Sequence, residues 1–212
     1  MFQIARLAAL SLSVAILSSF PIPARAQHGE QDSVIYVLTA ASWFEVKTGK
    51  AGLFGFAGHD HRIRARAFSG VVVYHPRAIA DSRVEIVVPT DSLEVLTPPD
   101  TEEIRKVTQT MRSEVLHTDQ YHEIKFVSKI LTRTDDLLRV QGELTLAGQT
   151  RDITLDVTLE IGGDTLRANG TFSIKQTDFG IRPYRGGPAG TVRVADRVDF
   201  DVAAVGVVAA KP

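Results

Sequence analysis

From Leu138 to Lys175 the chain alternates apolar and polar residues almost without a break, and that period of two leaves little choice of fold. Leu138, Val140, Gly142, Leu144 and Leu146 alternate with Arg139, Gln141, Glu143 and Thr145. Ile153, Leu155, Val157, Leu159 and Ile161 alternate with Thr154, Asp156, Thr158 and Glu160, and Leu166, Ala168, Gly170, Phe172 and Ile174 follow the same rule. Successive side chains of a strand point to opposite faces, so each run has one apolar and one solvated face. Such strands belong to antiparallel sheets, because a parallel sheet is covered on both faces and its strands read as unbroken apolar runs. Ala147-Gly148-Gln149 and Gly162-Gly163-Asp164 join the three runs, and short glycine-containing connections of this kind predict hairpins.

Weaker versions of the pattern predict further strands at Val34–Glu45, Arg62–His75, Arg83–Pro89, Glu123–Leu131 and Arg197–Ala209. Many long amphipathic strands in a meander must close on themselves or stack, since open edges invite aggregation. One segment departs from the pattern. Asp100-Thr101-Glu102-Glu103 is a capping box, and Ile104, Val107, Met111 and Val115 then recur at helical spacing. The expected fold is therefore all-β, an antiparallel barrel of about eight strands, with one helix at about 101–116 whose start is fixed by Pro98 and Pro99.

The first 26 residues have a different character. Arg6 precedes an apolar run from Leu7 to Phe20, Pro21 and Pro23 end it, and Ala24-Arg25-Ala26 supplies a small-x-small site. That order predicts a secretory signal at 1–26, cleaved before Gln27, and one domain over 27–212. The run is shorter than the roughly 20 apolar residues a membrane-spanning helix needs. The mature chain is expected to be soluble and periplasmic or secreted. The 212 residues include no cysteine, which removes disulfides, thiolate zinc sites and thiol nucleophiles from consideration. A formal net charge of -1, with basic residues interspersed, gives no electrostatic footprint for nucleic acid.

Four passages, in order, resemble the YceI-like polyisoprenoid-binding family. Leu144-Thr-Leu-Ala-Gly-Gln-Thr-Arg-Asp-Ile-Thr-Leu155 is similar to that family's LT-x-x-G-x-T hairpin. Phe172-Ser-Ile-Lys-Gln-Thr-Asp-Phe-Gly-Ile181 resembles its element ending in D-F/W-G. The helix followed by Tyr121-His-Glu-Ile-Lys-Phe-Val-Ser128 looks like its helix-then-strand passage, and Val84–Thr97 suits the strand before it. The resemblance implies an elongated, lipocalin-like barrel, exported from a bacterium, that holds a long isoprenoid chain in an apolar tunnel. It carries over no catalytic residues, and it makes a homodimer plausible. The chain departs from the family at Ala41–Lys47, at the glycine-rich Gly52–Gly58, at His59-Asp60-His61 and at Gln176, where a basic residue is common. These positions lie where a head group would be held.

An eight-stranded barrel either fills its interior with side chains or leaves room for one small ligand. Ala65, Ala67, Gly142, Ala168 and Gly170 are small residues on apolar faces. They either open a channel or accommodate curvature, and the resemblance favours the channel. The residues expected to line it are Phe54, Phe56, Phe68, Phe126, Gly142, Leu144, Leu155, Gly170, Phe172 and Phe179, with Trp43 near the mouth. His59, His61 and Arg182 are the candidates for a polar head group. Leucine at position 142 or 170 is then expected to plug the channel and leave the fold intact. The expected ligand is a polyprenyl or quinone-like lipid, with no cofactor.

Other chemistry was weighed residue by residue. His59 and His61, at i and i+2 of a strand, share a face and could chelate a metal with His117 or His122 as a third ligand. A metal-binding protein or metal-dependent enzyme is thus the alternative, and a filled barrel serving as an interaction module is a third reading. Arg62, Arg64 and Arg66 alternate with Ile63, Ala65 and Ala67, which predicts a basic stripe on the outer face. Asp178-Phe179-Gly180 reads as a strand end with a turn at Gly180, and Arg182–Gly190 as a rim loop. No G-x-S-x-G motif is present, and Asp91 and Glu94 have no partner across a cleft, so the sequence gives no argument for an enzyme.

Overall fold

The computed structural model describes residues 33–50, 60–96, 101–186 and 191–210. The expected signal segment, Phe54, Phe56, His59, Pro98, Pro99 and Asp100 lie outside the described residues. Eight strands close a ring: β1 (Val34–Leu38), β4 (Ser69–Tyr74), β5 (Arg83–Pro89), β7 (Glu123–Thr134), β8 (Leu137–Leu146), β9 (Gln149–Gly162), β10 (Thr165–Lys175) and β12 (Val192–Val208). Every pairing is antiparallel, and Tyr36↔Val208 to Leu38↔Gly206 joins the last strand to the first. The expected all-β barrel is what forms.

Two of the expected strands are each broken in two. Val34–Glu45 divides into β1 and β2 (Trp43–Lys50), and Arg62–His75 into β3 (His61–Ala65) and β4. A third break, at Thr90–Ser92, separates β5 from β6 (Leu93–Val95). The halves run end to end beside the same neighbours. β12 pairs with β1 at its C-terminal end and with β2 along its first part. β3 pairs with β2 and β6 with β3, just as β4 pairs with β1 and β5 with β4. Three successive strands therefore break at one level of the wall. Below it the ring is closed, and above it β12, β2, β3 and β6 form an open flap; a short β11 (Arg185–Gly186) pairs with the start of β12.

At that level side chains supplement a few backbone bonds, Thr39 N to Val205 O, Arg66 N to Ser92 O and Thr90 N to His122 O. The Ser42 hydroxyl donates to Val205 O at 3.1 Å and accepts from Val205 N at 2.9 Å, and Ser42 is buried. Thr90 Oγ1 donates to Tyr121 O at 2.7 Å, and Ser92 Oγ to Ala67 O at 3.1 Å. Ala67 is exposed there, so it faces no channel.

The edge of β6 away from β3 is covered by helix α1 (Thr101–Thr110), inside the segment expected to be helical. Val95 N donates to Thr108 Oγ1 at 3.3 Å, and Arg112 Nη2 to Leu93 O at 2.9 Å. The expected helix to 116 loosens into a wide π turn over Met111–Val115. That turn seats Met111, 7% exposed, among Ala65, Val88, Leu93 and Val95. Among the described residues no helix is long and apolar enough to cross a membrane.

The wall has one seam. β9 and β10 pair only from Asp156/Thr171 to Thr165/Gly162, and their other ends diverge. The turn Gln176–Phe179 folds back beside that gap, with Gly180 at φ 72° and Ile181 N donating to Gln176 O at 3.1 Å. Phe179, 2% exposed, is packed with Leu144, Leu146, Ile174, Ile181 and Val198. Thr177 N and Oγ1 donate to the Asp196 carboxylate at 2.9 and 2.8 Å, which pins the turn to β12. Those two bonds hold the Asp196 carboxyl below the usual carboxylate range.

The arginine stripe faces outward as expected. Arg62 and Arg64 both clamp Glu45, with Nε–Oε distances of 3.1 and 2.7 Å, and Arg66 pairs with Glu94. Glu45 is only 1% exposed beneath the two guanidiniums. Burial alone would push its carboxyl up, but the hydrogen bonds from Arg62 and Arg64 outweigh it and hold the group below its ordinary value.

Candidate ligand-binding site

Inside the closed ring lies a cavity of about 170 Å³, lined by Leu38, Phe44, Val72, Ile86, Phe126, Leu131, Val140, Leu144, Leu155, Leu159, Ala168, Phe172, Phe200 and Ala204, with others of the same kind. All eight ring strands contribute, and among the described residues Tyr74 carries the one polar side-chain group on the lining. Several inward side chains, including Phe126, Ile153, Leu155, Leu159, Phe172 and Phe200, are only half-buried. In a close-packed core they would be covered. Here they form the wall of a hollow.

A second cavity, of about 510 Å³, lies above it under helix α1 and the flap. Its walls are apolar, with Val46, Ile63, Val95, Met111, Leu116, Leu146, Ile174, Val194 and Val198 among them. Its polar members are Thr48, His61, Glu103, Lys106, Thr110, Gln176, Tyr184 and Arg193. Gln176 is buried and its Nε2 donates to Ala195 O at 2.8 Å. Apolar walls with a few convergent polar groups are the usual make-up of a small-molecule site. The chemistry available is apolar burial plus hydrogen bonding to the polar residues of the upper cavity.

The sequence-predicted residues separate into groups. Phe126, Leu144, Leu155 and Phe172 line the lower cavity, and His61 lines the upper one. Phe68 packs edge-on against Phe44, with ring centroids 5.0 Å apart, in the apolar cluster beside α1. Trp43 takes the outer face, because Phe44 and Val46 point inward and alternation sends Trp43 and Glu45 out. Phe179 packs at the seam in the wall and borders no part of either cavity. Arg182 is exposed and also borders neither; Arg193 stands at the upper cavity instead.

Gly142 and Gly170 lie on inward faces but open no channel. A Cβ at Gly142 would stand 2.5 Å from Val127 O and 2.7 Å from the Phe126 ring. The cause is a bulge in β7 between Ser128 and Ile130, which brings that backbone close to Gly142. A Cβ at Gly170 would stand 2.7 Å from Val157 Cγ1 and 2.9 Å from Asp156 O. Close approach of neighbouring strands, the curvature reading, explains both glycines. Of the five small residues only Ala168 lines the lower cavity.

His117 and His122 are exposed, and His122 Nδ1 is 3.0 Å from Thr118 O. Among the described residues no group of three or more His, Asp or Glu side chains is placed to hold a metal ion.

Sequence reasoning missed Phe44 and Phe200. Both were legible: Val198, Phe200, Val202 and Ala204 alternate with Asp199 and Asp201, and Glu45 marks the outer face of β2.

A closed eight-stranded antiparallel barrel, hollow and apolar within and topped by one helix, defines a lipocalin-like barrel. The YceI-like domain profile matches residues 37–205, and the chain belongs to that family. The UPF0312 protein VPA0850 of Vibrio parahaemolyticus is 28% identical over 175 residues, covering 79% of this chain and 85% of that protein. Among solved structures, BcnA of Burkholderia cenocepacia superposes with a TM-score of 0.64 at 20% identity, covering 79% of this chain and 98% of BcnA. A polyisoprenoid binding domain from Saccharophagus degradans, implicated in plant cell wall breakdown, superposes at 0.58 with 15% identity, covering 83% and 99%.

Proposed function

We propose that the protein binds an isoprenoid lipid, polyprenyl or quinone-like, with its chain in the barrel and its polar end in the upper cavity, and serves as a carrier or reservoir outside the cytoplasm. The observation that carries this is the lower cavity, whose lining from all eight strands is apolar except for Tyr74. Burying each CH2 of a chain in such a space is worth roughly 0.8 kcal/mol. The Saccharophagus domain, a structural relative, is a polyisoprenoid binding domain, which supports the ligand class. His61, Gln176, Lys106 and Arg193 stand where a polar end would lie.

Native mass spectrometry of the protein exported by a bacterial host, followed by organic extraction, tests this reading. About one isoprenoid or quinone-like molecule per barrel is the expected result. A barrel that returns empty and takes up no such lipid from detergent overturns it. Export is proposed from the first 26 residues alone, and the intact mass of the periplasmic form should begin at Gln27. The homodimer implied by the family resemblance has an apolar outer face available to it, where Ile35, Val37, Val71 and Val207 are each at least 40% exposed on adjoining strands. Sedimentation velocity over a concentration range would show association, and a Val37→Lys variant should abolish it.

A further inference from the structure

We propose that the stacked pair Phe172 and Phe200 divides the barrel interior into two chambers and thereby sets the length of apolar chain the protein accepts. The inference rests on the lipid-binding reading and adds a specificity rule to it. Phe200 borders both cavities, and Phe172 borders the lower one. The two residues face each other directly across β10 and β12 in register. Their rings are 4.6 Å apart and nearly parallel, at 12°. Around them pack Leu144, Leu146, Ile174, Ile124 and Phe126, in one apolar cluster. A chain that enters from the polar upper cavity meets this partition before it reaches the lower one.

The volumes give the rule a scale. A dry cavity of about 150 Å³ takes a benzene, six carbons. By that measure the lower chamber, about 170 Å³, holds one isoprene unit. The upper chamber, about 510 Å³, holds three to four units by the same comparison. With the partition in place, affinity should therefore rise with chain length up to the three or four units the upper chamber holds, by tenfold or more for each unit that enters. Beyond that length further carbons stay outside the barrel and add little. Phe200 is the residue whose rotation or loss would join the chambers.

The test measures affinity for all-trans prenols of two to nine isoprene units, by native mass spectrometry and competition, for three forms of the protein. The unaltered protein should plateau at about three to four units. Phe200→Leu, which thins the partition yet keeps an apolar side chain, should move the plateau to longer chains. In the Phe200→Leu background, Ala168→Leu fills the lower chamber from its own wall, and the double variant should return the plateau to about three to four units. A plateau at the same length in all three forms overturns the partition, as does affinity that climbs without pause to nine units in the unaltered protein. If no prenol of any length binds, the lipid-binding reading fails and this inference fails with it. Binding that ignores the two substitutions defeats the partition alone.

Discussion

Glu45 shows how much one inward- or outward-facing choice decides. It lies on the outer face of β2, yet two arginine side chains from β3 cover it almost completely. Arg62 and Arg64 are 49% and 36% exposed, so both can rehydrate if the carboxylate is lost. Glu45→Gln should therefore cost about 1–3 kcal/mol at neutral pH, toward the lower end. The folded pKa lies below the unfolded value, so the clamp contributes fully above the ordinary glutamate range, about 4.3. That contribution is lost as pH falls through the lower folded value. Urea midpoints measured from pH 7 down to 3 should fall less steeply in the acid for Glu45→Gln than for the unaltered protein. A second residue-scale test concerns the turn between β8 and β9, where Ala147 and Gly148 both hold positive φ, at 48° and 72°. Alanine is strained there, and Ala147→Asn should raise stability by roughly 1 kcal/mol in thermal unfolding. Gly170→Ala, by contrast, should lower it by about 1–3 kcal/mol, because its Cβ has no room beside Val157.

At the scale of elements, the shared break in three strands is what separates a closed lower barrel from an open upper flap. Its hydrogen bonds hold that level together. The Val205 carbonyl also accepts from Thr39 N at 2.8 Å and Thr39 Oγ1 at 3.0 Å, so Ser42→Ala would chiefly leave the Val205 amide without its partner, beside a buried position. The expected cost is about 1–3 kcal/mol, with the amides of Val205 and Thr39 exchanging faster than those of the ring below. Met111 is the anchor of the helix on the flap, and Met111→Ala should cost about 2–5 kcal/mol. A chemical-denaturation midpoint would read that loss. If the variant kept full stability, α1 would be resting on the flap without holding it.

Across the whole molecule the hollow has a thermodynamic signature. A ligand that binds only the folded barrel stabilises it by about 2.7 kcal/mol at one hundred times its Kd. On the proposed lipid-binding reading, protein extracted free of lipid should melt at a lower temperature than protein as purified, and adding prenol should restore the difference. The period of two determined the barrel and its register, because a slip of one residue would turn every apolar face to water. It also made Phe126, Leu144, Leu155 and Phe172 readable as inward. Alternation could not say where a strand breaks, since the residues on both sides of Thr39–Ser42 and Arg66–Phe68 keep apolar character. Nor could it say what an inward glycine is for. Gly142 and Gly170 look like openings in the sequence, and only the approach of β7 and β9 shows that neighbouring atoms occupy the space. Phe179 carries the family motif, but its place at the seam follows from how β9 and β10 diverge. The local pattern of side chains fixed which face is dry; the distances between strands far apart in the chain decided where the hollow lies and which rings divide it.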